Sequence, residues 1–235
     1  MLKDKRALVT GAARRIGREI CLALARRGAD VAVHYHRSGK NAASLVRELR
    51  LLGVRAEAYR ADLSDVRQTL RLADAAWPVD ILVHNASLYE KAPLRRVTAA
   101  QFDRHMAVNL RAPLLLSQAL GGRMRRAGGG KIIHIVDWSV SKPYADTLPY
   151  SLSKAGLLCL NAGLAKALAP EVQVNAVLPG AVLVPARLRR AAARATLSGR
   201  LGSPADVADA VVYLAEASSF VTGTSMTVDG GRSLR

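Results

Sequence analysis

The sequence predicts a doubly wound α/β fold, a seven-stranded parallel sheet with helices on both faces. Three observations carry that expectation. Short runs rich in β-branched residues recur at seven places along the chain. Stretches of helical length and amphipathic pattern separate them. The runs are apolar throughout rather than alternating, which is how strands read when both faces of a sheet are covered. At 235 residues, half of them hydrophobic, the chain can bury one large core, and residues 1–235 read as one domain.

The first strand is RALVT at 6–10, followed by a glycine-bearing turn and the helical stretch REICLALARRG. The next three strands are VAVHY at 31–35, VRAEAY at 54–59 and ILVH at 81–84. GGGK at 128–131 is a turn before the fifth strand, KIIHIV at 131–136. VQVNAV at 172–177 and SMTV at 225–228 complete the set. Helical stretches with broad apolar faces fill 98–122 and 149–169, and the least regular segment, 181–200, reads as a substrate lid. No internal repeat or low-complexity linker interrupts the pattern.

Thirty-five basic and eighteen acidic residues give a formal charge of +17, which raises nucleic-acid binding as a function class. That class needs a basic stripe or a recognition motif. Here the arginines are scattered among alanines and leucines and aromatics are only 4% of residues, so the charge points to attraction of small anions instead. No apolar run is long enough for a membrane span, and the start MLKDKRALVTG lacks a signal-peptide layout, so a soluble cytoplasmic protein is expected. Cys21 and Cys159 lie in apolar helical patterns and read as buried thiols rather than a disulfide or a metal site.

Between the first strand and its helix stands Thr10-Gly11-Ala12-Ala13-Arg14-Arg15-Ile16-Gly17. Gly11 suits a sharp turn, Gly17 suits close packing of helix on strand, and the free N–H groups of the helix start suit a pyrophosphate. The other reading is an ordinary strand-to-helix loop. Arg15 takes the place of the middle glycine of the usual pattern and brings a guanidinium to the phosphates, within possible reach of a substrate. At the end of the second strand a site selective for NAD carries an acidic residue for the ribose; here the chain reads His34-Tyr35-His36-Arg37-Ser38. Arg37 and Ser38 can take a 2′-phosphate by charge-assisted hydrogen bonds, which points to NADPH, the alternative being a solvated basic loop. Asp62, followed by Leu63, can accept from the adenine amino group or cap a helix. Asn85, Ala86 and Ser87 follow the fourth strand at the edge where such sheets bind ligands. Ile16, Tyr35 and His36 complete this set of cofactor contacts.

Tyr150 and Lys154 stand four residues apart at the start of a helical stretch, so phenol and ammonium share a face. Bringing a tyrosine from pH ~10 toward ~7 takes about 4 kcal/mol of phenolate stabilisation, which a nearby cation can supply. Asp137, thirteen residues earlier, ends the strand KIIHIV.

Taken together, TGAARRIG, HNAS, the Tyr150/Lys154 pair, NAVLPG at 175–180 and Asp229-Gly230-Gly231 resemble the short-chain dehydrogenase/reductase family across the whole chain. In that family the position of Asp137 is normally serine. The aspartate, Arg15, HYHRS and HNAS resemble a narrower branch, the pteridine reductases and dihydromonapterin or dihydrofolate reductases. That resemblance implies NADPH-dependent reduction of a pterin C=N bond. Asp137 would work with Tyr150 in proton delivery, while Lys154 would bind the nicotinamide ribose and lower the tyrosine's pKa. It implies that Asn109 supports the lysine and a proton-relay water, the plainer reading being a polar helix residue tied to backbone. Ser87 would contact cofactor phosphate and, with Tyr89, the pterin; a surface tyrosine is the alternative for Tyr89. Pro179 and Gly180 would line the nicotinamide. A homotetramer is implied, with Arg235 of the tail near a neighbour's substrate. Two rival functions stand beside this one: a carbonyl reductase acting on a ketone or 3-oxoacyl group, and an NADPH-binding regulator without turnover. Asp137 speaks against the first, since an ionised carboxylate cannot donate to a carbonyl oxygen; the intact Tyr150, Lys154 and Asn109 speak against the second.

Overall fold

The computed structural model describes residues 1–235. Seven strands form one parallel sheet: β1 (Arg6–Val9), β2 (Asp30–Tyr35), β3 (Ala56–Arg60), β4 (Ile81–His84), β5 (Gly130–Ile135), β6 (Val172–Pro179) and β7 (Ser225–Val228). Their spatial order is β3-β2-β1-β4-β5-β6-β7, so the direction of winding reverses between β1 and β4. Register is set by pairs such as Ala7↔Val31 and Ala7↔Ile81 on either side of β1.

The uniform apolarity of the strands follows from this arrangement. Ala7 and Val9 of β1, Val83 of β4 and Ile133 of β5 bury one face of the sheet, against α1 (Arg15–Arg26), α2 (Gly39–Leu51) and α8 (Pro204–Glu216). Leu8, Leu82 and Ile132 bury the other, against α3 (Val66–Ala76), α5 (Ala112–Arg126) and α6 (Leu148–Leu168). Successive residues serve opposite cores, so neither set can be polar.

Helix boundaries have local causes. Asp65 accepts the N–H of Gln68 and caps α3, and Ser203 with Asp206 forms a capping box on α8. The apolar stretch expected at 98–122 divides into α4 (Ala99–Met106), a π turn (Ala107–Arg111) and α5. Pro113 has no N–H to give the Asn109 carbonyl, and the ladder lengthens to an Ala112 N–H bond onto Ala107. The third strand begins at Ala56 rather than Val54, because Asp30 takes the Arg55 N–H and guanidinium at the strand entry. The sixth runs on to Pro179, paired with Val228.

Cys21 is buried, but Cys159 is exposed, contrary to the expectation for both thiols. α6 is apolar nearly all round, and its outward face also exposes Leu152. Periodicity alone cannot say which apolar face meets the core. Within 181–200 a short helix, α7 (Arg189–Arg194), follows the irregular stretch after β6. No helix is long and apolar enough to cross a membrane.

Candidate active site

At the C-terminal ends of β1, β2, β4, β5 and β6 the strands open into one cleft of about 720 Å³. It spans the point where the winding reverses, the usual ligand position in open α/β sheets. One end is walled by Tyr35, His36, Arg37, Ser38, Asp62 and Leu63; the other by Tyr89, Asp137 and Tyr150.

The floor is the glycine turn. Gly11 has φ +62, and a Cβ there would stand 2.8 Å from the Ala86 Cα. A Cβ on Gly17 would stand 2.5 Å from both the Asn85 side chain and the Gly11 carbonyl. Two substitutions are therefore barred, one by conformation and the other by close approach. Asn85 donates to the carbonyls of Thr10 and Gly11, tying β4 to the turn. His34, buried behind it, accepts the Gly11 N–H at 3.0 Å through Nδ1 and bonds the Ala61 carbonyl through Nε2. Only the neutral ring protonated at Nε2 can do both, and burial holds its pKa down to about 4. This brace lies one residue before the predicted cofactor set, and the alternation of a strand is the signal that puts it inside.

Arg15 and Ile16 line the cleft beside Gly17. The Arg15 backbone is left-handed, φ +55, a conformation costly for a side-chain residue. Arg37 is exposed at the cleft's edge and meets no carboxylate within the chain. Asp62 lies 3.6 Å from His36 and accepts the N–H and hydroxyl of Ser64. Asp65, not Asp62, is the helix cap, which leaves Asp62 in the cleft wall. These residues fit a dinucleotide with an extra phosphate: a turn bare of side chains at Gly11 and Gly17 with Arg15 beside it for the pyrophosphate, and an unpaired guanidinium where the adenosine ribose would end.

At the other end Asp137 follows β5 and lies against Tyr150 of α6. The Tyr150 hydroxyl donates to Asp137 Oδ2 at 2.7 Å, and Asp137 Oδ1 accepts the Ser139 N–H at 2.8 Å. Burial first, and the Asp137 carboxylate second, push the Tyr150 phenol above its ordinary range. This corrects the expectation that Lys154 brings the tyrosine toward neutrality. The Lys154 ammonium sits 5.8 Å from the centre of the Tyr150 ring and donates to the Ile135 carbonyl at 2.7 Å. Burial lowers its pKa to about 8, with Asp137 opposing the shift.

Asn109 is buried in the π turn and does not reach the lysine by a hydrogen bond. Its side chain accepts the Leu88 N–H and donates to the Leu88 carbonyl and to Ser153 Oγ. Ser153 in turn donates to the Tyr150 carbonyl. Asn109 thus braces the strand-end loop and the catalytic helix turn, as the plainer reading of a polar helix residue has it. Tyr89 lines the cleft half exposed, its ring edge-on to Tyr150 at 4.8 Å between centroids. Ser87, Ala86, Pro179 and Gly180 also line the cleft, as do residues 181–184 at the start of the segment read as a lid, none of them named individually because the stretch has no polar side chain. Arg235 is not in the wall; its guanidinium bonds the Arg194 carbonyl of its own chain. Lys142, five residues past Asp137, holds the carbonyls of Ser233 and Arg235.

The sequence model described as short chain dehydrogenase matches residues 5–194. An L-rhamnose 1-dehydrogenase (NAD(P)(+)) of Sphingomonas sp. (strain SKA58) is 32% identical, with 98% of this chain and 97% of that protein aligned. Among solved structures, a blue fluorescent protein from a metagenomic library in complex with NADPH superposes with a TM-score of 0.92 at 36% identity, covering 98% of each chain. The angucycline C-6 ketoreductase LanV with bound NADP superposes with a TM-score of 0.93 at 31% identity, covering all of this chain and 97% of that one. With a dinucleotide cleft and a Tyr-x-x-x-Lys pair at its inner end, the chain belongs to the short chain dehydrogenase family.

Proposed function

We propose that this chain is an NADPH-dependent reductase whose substrate is a flat nitrogen heterocycle of pterin or dihydropterin type, reduced at a C=N bond. The observation that carries the reading is the 2.7 Å bond from the Tyr150 hydroxyl to Asp137. NADPH, when bound, supplies the hydride. The unpaired Arg37, with Ser38, supports the phosphorylated cofactor, as do the NADPH and NADP in the two solved relatives.

The chemistry follows from the pair's proton count. With Asp137 ionised, loss of the Tyr150 proton would leave two adjacent anions, so the phenol resists ionisation. When the pair takes up one further proton, Tyr150 passes a proton to the substrate nitrogen and Asp137 returns one to Tyr150, leaving a phenol and a carboxylate. The carboxylate also accepts from a ring N–H or amino group, which a heterocycle offers and a simple ketone does not. Tyr89 supplies an aromatic wall at this end. Lys154, charged below about pH 8, binds the cofactor's ribose side in this reading. Residues 181–200 form the lid. Leu114 and Leu152, exposed on α5 and α6, support assembly through these helices, a homotetramer in our reading.

A carbonyl reductase is the second reading, and the relatives favour it: two of the three named above are a sugar dehydrogenase and a ketoreductase. An acetoacetyl-CoA reductase of Rhizobium meliloti, 33% identical over 96% of this chain and 97% of that protein, belongs with them. Fold and family leave the substrate open at this identity. NADPH oxidation measured with dihydrobiopterin, dihydrofolate and a panel of ketones and ketoses separates the two. Turnover of the pterins at a kcat/KM at least ~100-fold above any ketone is the expected result; turnover of ketones alone would replace the pterin reading by the carbonyl one.

A further inference from the structure

The segment that follows the last cleft-lining residues carries arginines without acidic partners. From Val172 to Ala205 the chain has no aspartate or glutamate, yet it carries Arg187, Arg189, Arg190 and Arg194 on the segment that follows the cleft-lining residues 181–184. All four are exposed, and none is ion-paired. Of the chain's other twenty-three arginines nine meet carboxylates, among them Arg18–Glu48, Arg27–Glu216, Arg55–Asp30, Arg104–Glu90 and Arg200–Asp206, whereas this segment has four within eight residues and none so paired.

Arg189 ties this segment to the cleft. It donates to the carbonyl of Val184, a cleft-lining residue. Arg235 donates to the Arg194 carbonyl, which adds a fifth guanidinium beside α7. Leu197 packs over Gly231, so lid and tail move as neighbours. Arg190 and Arg194 stand four residues apart on α7, a spacing at which like charges on a helix repel, and Arg187 precedes them in a 3-10 turn (Ala186–Leu188).

We infer that the substrate carries an anionic group, a carboxylate or a phosphate, on the arm that projects from the cleft, and that Arg187, Arg190 and Arg194 draw it in and hold it. The inference rests on the reading that substrate enters at the Tyr89–Asp137 end, not on whether the reduced bond is C=N or C=O. Guanidinium groups pair such anions by charge-assisted hydrogen bonds, and a cluster of one sign raises the local anion concentration in a salt-dependent way.

The test uses the full-length protein and substrates matched in reacting group but not in charge: dihydrobiopterin against dihydrofolate and against a dihydropterin phosphate ester, and a neutral methyl ketone against acetoacetyl-CoA. The triple variant Arg187→Gln/Arg190→Gln/Arg194→Gln leaves Arg189, which braces Val184, in place. KM for the anionic member should rise about tenfold in the variant, as summed exposed ion pairs allow, and similarly for the native protein in ~0.5 M salt. The neutral member should change less than about twofold, NADPH affinity should hold, and the Arg→Lys triple should recover most of the loss. Carboxylate and phosphate are told apart by which pterin derivative loses more. Equal losses for neutral and anionic substrates, or none for the anionic, would overturn the inference. Charge dependence seen with acetoacetyl-CoA but no pterin turnover would sink the pterin reading and leave this inference standing; pterin turnover indifferent to charge would do the reverse.

Discussion

At the residue scale Asp137 decides what Tyr150 can do. A phenol held neutral by burial and by an adjacent carboxylate is a poor base, so alcohol oxidation with NADP⁺ should run slower than reduction at neutral pH. Because the reductive step routes a proton through Asp137 to Tyr150, Asp137→Asn should lower kcat for reduction at unchanged NADPH affinity; an unchanged kcat would exclude the relay. Arg15 offers a second test. Replacing it by glycine relieves the left-handed backbone and should stabilise the fold by about 1 kcal/mol in urea melts, while weakening NADPH binding through loss of the guanidinium. Weaker folding, or undiminished NADPH affinity, would contradict the role given to it. Tyr150 and Lys154 were legible from their helical spacing together with the surrounding motifs, and Asp137 from its place at a strand end and from the family resemblance. The direction of Tyr150's titration was not, because it depends on burial and on which group the hydroxyl meets. Nor was it legible which of Asn109's two readings its contacts favour: its amide bonds Leu88 and Ser153, partners that sequence distance hides.

At the scale of elements the glycine turn and its braces set the cofactor floor. Gly11→Ala meets both a left-handed φ and the Ala86 backbone, so it should cost on the order of 1–3 kcal/mol and abolish NADPH binding, read by melting and by nucleotide fluorescence. Behind the turn, His34 is held near pKa 4 by burial, and His134, stacked on His84 across β4 and β5, is held near 4 by the same cause. Both rings would titrate near 6.5 in the unfolded chain. Their folded pKa values are depressed, so the stability they favour is fully present above about 6.5 and is lost as pH falls toward 4. Melting temperature should decline over that window, and His134→Asn should lessen the slope; an equally steep decline in the variant would remove His134 from the account. The turn itself was readable from Gly11 and Gly17, and the strands from their apolar runs. The break of the long helix at the π turn was visible only as Pro113, and its effect on the ladder required the folded backbone.

At the scale of the whole molecule, seven strands and their crossover helices foretold the sheet, because the inner strands β1, β2, β4, β5 and β6 must each satisfy two cores at once, while β3 and β7 form its more exposed edges. Where one helix is apolar on every side, as α6 is, the sequence could not tell core from surface, and Cys159 went to the wrong side. The exposed leucines there are the surface on which we place the tetramer contact; light scattering should find four chains, and Leu114→Arg/Leu152→Arg should yield smaller species. The cleft then joins fold to function, with a phosphate-accepting end and an acid end on one sheet edge. The account stands most directly on the Asp137–Tyr150 pair, and the measurement that bears on it is the ratio of kcat/KM for dihydrobiopterin to that for a ketone, compared between the native protein and Asp137→Ser at unchanged NADPH affinity. We expect the ratio to fall at least ~100-fold, since serine loses the proton relay to nitrogen and can donate to a carbonyl oxygen. An unchanged ratio would contradict the assignment of Asp137 to nitrogen-heterocycle reduction.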